Sequence, residues 1–234
     1  SVLSSTVGHA SAAAARGQPA SHVDSEANNE STPFDFTLDN MEEVKRIIAK
    51  YPRGFQRSAV IPVLDLAQRQ AGGWLPLSAM NKVAKILDMK PMEVYEVASF
   101  YTMFNRSPIG KHFVQVCTTT PCMVGGVGAY AVFDAIKAHL GVGNGETTAD
   151  GMFTLLEVEC LGACVNAPMM QIDDDYYEDL TPDAAVKVLD ELRAGRAPTP
   201  GPQTGTHRVC EGRLGQTTLR DEPVGAFVAP GQLD

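Results

Sequence analysis

Two closely spaced cysteine pairs, Cys117 with Cys122 and Cys160 with Cys164, limit what this chain can fold into more than any other feature. Each pair follows a predicted strand, Phe113 to Val116 before the first and Phe153 to Val158 before the second, so each lies where a strand end releases a loop. Adjacent strands ending on the same side would bring both loops together, and four thiols would then share one site. Parallel neighbours require a crossover connection, and Val127 to Leu140 supplies one: Val132, Ile136 and Leu140 align on one helical face and Gly141 stands past the end.

The rest of this region completes a small sheet. Met169 to Ile172 and Tyr176 to Leu180 read as a hairpin around the acidic turn Asp173 to Asp175. Thr181 caps a last helix with Pro182 at its first position, Val186, Leu189 and Leu192 as its stripe and Gly195 at its end. The order β-α-β-β-β-α is a thioredoxin-like arrangement over residues 108–195, with Cys117 to Gly126 expected as an irregular loop.

Residues 38–107 have a different texture. Met41, Val44, Ile47 and Ile48 recur at helical spacing until Pro52 and Gly54; a second helix is expected after Ser58 with Ile61, Leu64 and Ala67 on one face. Ser78 is positioned to cap a third, and Pro91 to open a fourth carrying Val94, Val97 and Tyr101. Four helices with short connections form a small bundle. Phe100, Tyr101 and Phe104 close it, as core aromatics or as a face against a neighbouring domain. The fold class is therefore α+β or α/β: a helical segment, then the thioredoxin-like domain.

The ends carry less. Residues 1–37 read as a disordered or extended arm, rich in Ser and Ala up to Glu30 with Arg16 as the only Arg or Lys there, and the start at Ser1 is what a chain cut from an organellar presequence would show. Residues 196–234 are rich in Pro, Gly and Thr and read as an extended tail, with Val209, Leu214, Leu219, Phe227 and Val228 available to wrap a partner. A net charge of -9 disfavours a nucleic-acid partner, and no apolar run is long enough to span a bilayer. Five cysteines, with Cys210 left over, suit a reduced compartment better than a secreted disulfide scaffold.

Three chemistries compete for the paired thiols. Structural zinc takes four thiolates in a tetrahedron, usually from shorter knuckles than these. A disulfide within each pair is the second, and a 2Fe-2S cluster, with two thiolates per iron, is the third. The loops favour a centre that needs close backbone and hydrogen-bond donors: Thr118, Thr119 and Thr120 stand between the first two cysteines, and Gly162 and Ala163 between the second two. Asn166 reads as a turn-former. Of the histidines, His112 alone is placed near the cysteine domain's chemistry, more as a surface residue than as a ligand. Neither a phosphate-binding glycine motif nor a catalytic triad spacing is present.

The run Glu159 to Met169 (ECLGACVNAPM), the loop Cys117 to Cys122 (CTTTPC) and Ala98 to Phe104 (ASFYTMF) closely resemble the NuoE-type iron-sulfur subunit of respiratory complex I, over roughly Phe36 to Leu219. That resemblance implies a thioredoxin-like domain holding one 2Fe-2S cluster, with Cys117 and Cys122 on one iron and Cys160 and Cys164 on the other. It implies an oxidoreductase subunit with no substrate site of its own, relaying single electrons beside the flavin-bearing NADH-binding subunit and a neighbouring iron-sulfur subunit. The expected location is the matrix side of the mitochondrial inner membrane, in the peripheral arm. A diaphorase subunit of a soluble NAD-linked hydrogenase or formate dehydrogenase, and a zinc-stapled interaction module, are the alternatives. The chain departs from the family at Val124-Gly125-Gly126, where relatives often carry a basic residue. Tying two loops through a metal also implies that the centre is part of the domain's stability.

Overall fold

The computed structural model describes residues 31–204, together with His22, Asp24, Ser25, Asn28 and Asn29. Helix α1 (Leu38–Ala49) begins where the Thr37 hydroxyl accepts the Asn40 N–H at 3.3 Å, and it turns Val44 and Ile47 inward. The second helix starts later than Ser58: a 3-10 turn, Gln56–Ala59, leads into α2 (Val60–Gln70). Helix α3 (Leu77–Ile86) is not capped by Ser78, which lies inside it with its hydroxyl buried and unbonded; the free Leu77 N–H is instead taken by Asn28 Oδ1 at 2.8 Å. Pro91 opens α4 (Pro91–Phe100), and the Glu93 carboxylate accepts the Lys90 N–H at 3.0 Å.

The four helices bury one core, with Val44, Val63, Leu64, Leu75, Val83 and Val94 fully enclosed. Each such side chain contributes roughly 1.5–3 kcal/mol by leaving water. Phe104 joins this core, whereas Phe100 is 78% exposed and Tyr101 41%, so the three aromatics divide between the two roles expected for them. Asn105 ties the exit to the bundle, its N–H reaching Gln68 Oε1 at 2.8 Å and its carbonyl accepting Leu75 N–H at 2.6 Å.

Beyond it come β1 (His112–Cys117), α5 (Thr120–Val124), α6 (Ala129–Leu140), β2 (Glu146–Thr147), β3 (Phe153–Val158), β4 (Met170–Ile172), β5 (Asp175–Glu178), α7 (Pro182–Arg193) and β6 (Gly201–Pro202). They form one mixed sheet in the order β2-β3-β1-β4-β5-β6. β1 and β3 are parallel and the β4–β5 hairpin is antiparallel, as the crossover and the acidic turn require. Four details differ from the sequence reading: the first cysteine loop contains a helical turn, α6 starts at Ala129 because Gly128 at φ 84 cannot be helical, the short strand β2 adds an antiparallel edge to β3, and Gly201–Pro202 of the tail adds a parallel edge strand to β5.

Helices α6 and α7 cover one face of this sheet, burying Val114, Val116, Phe153, Leu155, Met170 and Ile172 against Val132, Ile136, Val188 and Leu189. The other face, with Phe113, Gln115, Leu156 and Gln171, looks across a groove of about 890 Å³ toward Arg69 and the 101–109 connection. At the end of that groove Arg69 donates to both carboxylate oxygens of Asp174, at 2.6 and 3.0 Å, joining the bundle to the hairpin turn.

Candidate metal centre

The parallel pairing of β1 with β3 places Cys117 opposite Val158, so the two cysteine loops leave the sheet at the same end. Cys117 ends β1, and Cys122 lies in the one-turn helix α5. Cys160 follows β3 by two residues, and Cys164 opens a 3-10 turn, Cys164–Asn166. Each loop is braced by the strands behind it. The Thr118 hydroxyl donates to Glu157 Oε1 at 2.8 Å and the Tyr130 hydroxyl reaches the same oxygen at 3.2 Å, fixing the first loop to β3. Tyr176 donates to the Leu161 carbonyl at 2.7 Å, and Asn166 donates to Glu178 Oε2 at 2.7 Å, fixing the second to β5. Asn166 is thus a buried brace rather than a simple turn residue.

Gly125 joins the two loops. A Cβ there would meet the Pro121 carbonyl at 2.7 Å and Ala167 at 3.1 Å, so Gly125 itself has no room for a side chain unless its neighbours shift. His112 is not near the cysteines: it opens β1 while Cys117 ends it, and its Nδ1 pairs with Asp173 Oδ2 at 2.7 Å. Asp173 also accepts the Phe113 N–H at 2.9 Å, so the acidic turn is consumed by internal contacts on its Asp173 and Asp174.

The thiols divide into a buried pair, Cys117 and Cys122, and an exposed pair, Cys160 and Cys164, whose sulfurs are 3.5 Å apart. That separation far exceeds a disulfide bond of about 2.05 Å. Burial opposes ionisation of Cys117, but hydrogen bonding from the Thr119 N–H, from Cys122 and from the Leu161 N–H helps to outweigh it and draw its pKa below the usual thiol value. Cys122 is pushed up to about 12, by burial first and by Cys117 next. The hydrogen bond with Cys160 raises Cys164, and both buried thiols feel the Cys164 charge or impose theirs on it.

The donor set therefore fits a cationic centre. Four sulfurs at one end of the sheet are the donors such a centre takes, and bound metal would compensate their charge as thiolates. The thiols stand as two pairs at one end of the sheet, two donors in each, the number that each iron of a 2Fe-2S cluster takes. Beside Cys117 the Thr119 hydroxyl is buried and meets no partner at full hydrogen-bond geometry. The three threonines of this loop are equivalent in the sequence; only the packing separates Thr118, held by Glu157, from Thr119 with its hydroxyl buried and Thr120 in solvent. The braces Glu157, Tyr176 and Glu178 carried no sequence signal, because each acts across the sheet on a loop distant in the chain. Cys210 lies outside the described residues.

A thioredoxin-like sheet with two thiol pairs at one end defines the class of thioredoxin-like 2Fe-2S proteins. Residues 44–193 match the family described as thioredoxin-like 2Fe-2S ferredoxin. The chain is 58% identical over 205 residues to mitochondrial NADH dehydrogenase (ubiquinone) flavoprotein 2 of Dictyostelium discoideum, covering 87% of this chain and 81% of that protein. It is 52% identical to an NADH-quinone oxidoreductase subunit of Rickettsia bellii, covering 71% of this chain and 98% of the relative. Among solved structures, an NAD+-reducing NiFe-hydrogenase in the air-oxidised state is similar at 21% identity and TM-score 0.49, over 56% of this chain and 23% of that one. The chain belongs to the thioredoxin-like 2Fe-2S family and, within it, to the NuoE-type subunits of respiratory complex I, whose cofactor is a 2Fe-2S cluster.

Proposed function

We propose that this chain is the iron-sulfur electron-transfer subunit of the NADH dehydrogenase module of complex I, with Cys117 and Cys122 as ligands to one iron and Cys160 and Cys164 to the other. When bound, the cluster supplies one-electron oxidation and reduction. The observation that carries the reading is the arrangement of the thiols: two pairs at one end of a sheet, one pair buried and the other at the surface. Burial shields one side of the centre from water, and exposure of the other leaves a short path to a docked redox partner.

The chain's own residues supply the rigid shell that such a relay needs, because Tyr176, Asn166, Thr118 and Gly125 hold both loops to the sheet and to each other. Exposed apolar side chains, Met123, Val124, Val127 and Val165, surround the thiol loops and suit a protein partner. We read that partner as the flavin-bearing NADH-binding subunit, with a neighbouring iron-sulfur subunit beyond it, on the matrix side of the mitochondrial inner membrane. The support is the mitochondrial relative, and among the described residues no helix is long and apolar enough to cross a membrane. The chain provides no substrate site in this reading. We further propose that residues 38–107 and 108–195 are separate domains, in keeping with their two distinct cores.

Electron paramagnetic resonance of the purified chain after dithionite reduction, with iron determined on the same sample, tests the assignment. Two irons per chain and the signal of a reduced 2Fe-2S cluster are expected. A colourless, zinc-loaded chain would overturn it.

A further inference from the structure

We propose that the Thr119 hydroxyl donates a hydrogen bond to sulfur of the metal centre beside Cys117, and so sets how readily that centre accepts an electron. The inference rests on the ligand assignment above and deepens it. Thr119 precedes α5 in the extended conformation of a capping residue, with φ -72 and ψ 163, yet its side chain makes no capping hydrogen bond. A threonine there ordinarily turns its hydroxyl back onto the N–H groups of the following turn. Here the hydroxyl is buried and meets no partner at full bonding geometry among the described residues, although a buried hydroxyl without a partner is unfavourable.

The neighbouring hydroxyls are otherwise placed. Thr118 is committed to Glu157 at 2.8 Å, and Thr120 is exposed. Thr119 alone combines a buried hydroxyl, no partner for it among the described residues and a place in the loop between Cys117 and Cys122. Reduction by one electron adds negative charge that the sulfurs share. A donor fixed beside one of them stabilises the reduced form more than the oxidised form and raises the potential. Thr119 is thus a positioning residue for charge, and the four thiolates hold the iron without it.

The test compares T119V, which keeps the shape and removes the donor, with T119S, which keeps the donor. Each full chain is assayed for iron and visible absorption, then titrated with resonance detection. At the ambient potential where the parent is half reduced, T119V should show a reduced-to-oxidised ratio about tenfold lower, equivalent to roughly 59 mV for one electron. T119S should stay within about twofold of the parent. A loaded T119V whose midpoint coincides with the parent's overturns the proposal, as does a T119S shift equal to that of T119V, which would mark a packing effect. T119A, titrated alongside, should follow T119V; loss of iron from both T119A and T119V also counts against it, because a tuning donor is not needed for metal retention. A parent chain without iron or a resonance signal instead defeats the ligand assignment itself.

Discussion

Cys117 and Cys122 lie beneath the surface and Cys160 and Cys164 on it, so the same substitution has two different costs. Serine at any of the four should lower iron below half of the parent's content. In the metal-free chain, however, Cys117→Ser or Cys122→Ser puts a hydroxyl among Ala129 and Met169 and should cost about 1–3 kcal/mol, while Cys160→Ser or Cys164→Ser should stay within about 0.5 kcal/mol. Urea unfolding of the metal-free variants reads the difference. Cys210→Ser should leave iron content unchanged. Gly125 makes a separate demand: its φ of -78 suits any residue, but the Pro121 carbonyl and Ala167 occupy the space of a side chain. Gly125→Ala should therefore destabilise by about 1–3 kcal/mol through overpacking, measured by thermal unfolding, and lower cluster occupancy by parting the loops.

At the scale of elements, the cysteine loops and the sheet behind them have different supports. The sheet is held by a core from β1, β3, β4, α6 and α7 that contains none of the four thiols, whereas Cys117, Cys122, Ala129 and Met169 form only a small cluster at its end. Removing iron should consequently loosen residues 118–128 and 159–168 and leave the strands intact, a narrower effect than melting the whole domain. Hydrogen exchange on iron-loaded and chelator-treated chains checks this: amides of the two loops should exchange at least tenfold faster without iron, and those of Val114 and Val116 should be unchanged. Loss of protection at Val114 would show that metal, rather than packing, holds the domain. The helical turn α5 explains the localisation, since five residues cannot sustain a helix without tertiary support.

Across the whole molecule, the bundle and the sheet are fastened by Arg69, which pairs with Asp65 on its own helix and with Asp174 on the hairpin turn. The hydrogen bond from Arg69 lowers the pKa of Asp174 below its ordinary 3.8. A depressed carboxylate stabilises the fold fully above its unfolded pKa and loses that contribution as pH falls below 3.8 through the lower folded value. Both side chains are more than half exposed, so solvent screening limits the pair to about 0.2–1 kcal/mol. Asp174→Asn should lower stability by that amount at pH 7, with the difference from the parent vanishing at strongly acid pH, as urea titrations at several pH values would show. This fastening was not legible beforehand, because Arg69 and Asp174 are distant in sequence and nothing local distinguishes them from other surface charges. The sequence by itself determined the helices and strands whose periodic apolar faces and caps are local properties, the parallel crossover, and the four paired cysteines that point to one centre. Tertiary structure alone decided which threonine hydroxyl is buried, which thiols are buried, why Gly125 admits no side chain, and that His112 pairs with Asp173. These depend on distances between segments remote in the chain, and close packing sets such distances only once the sheet has formed.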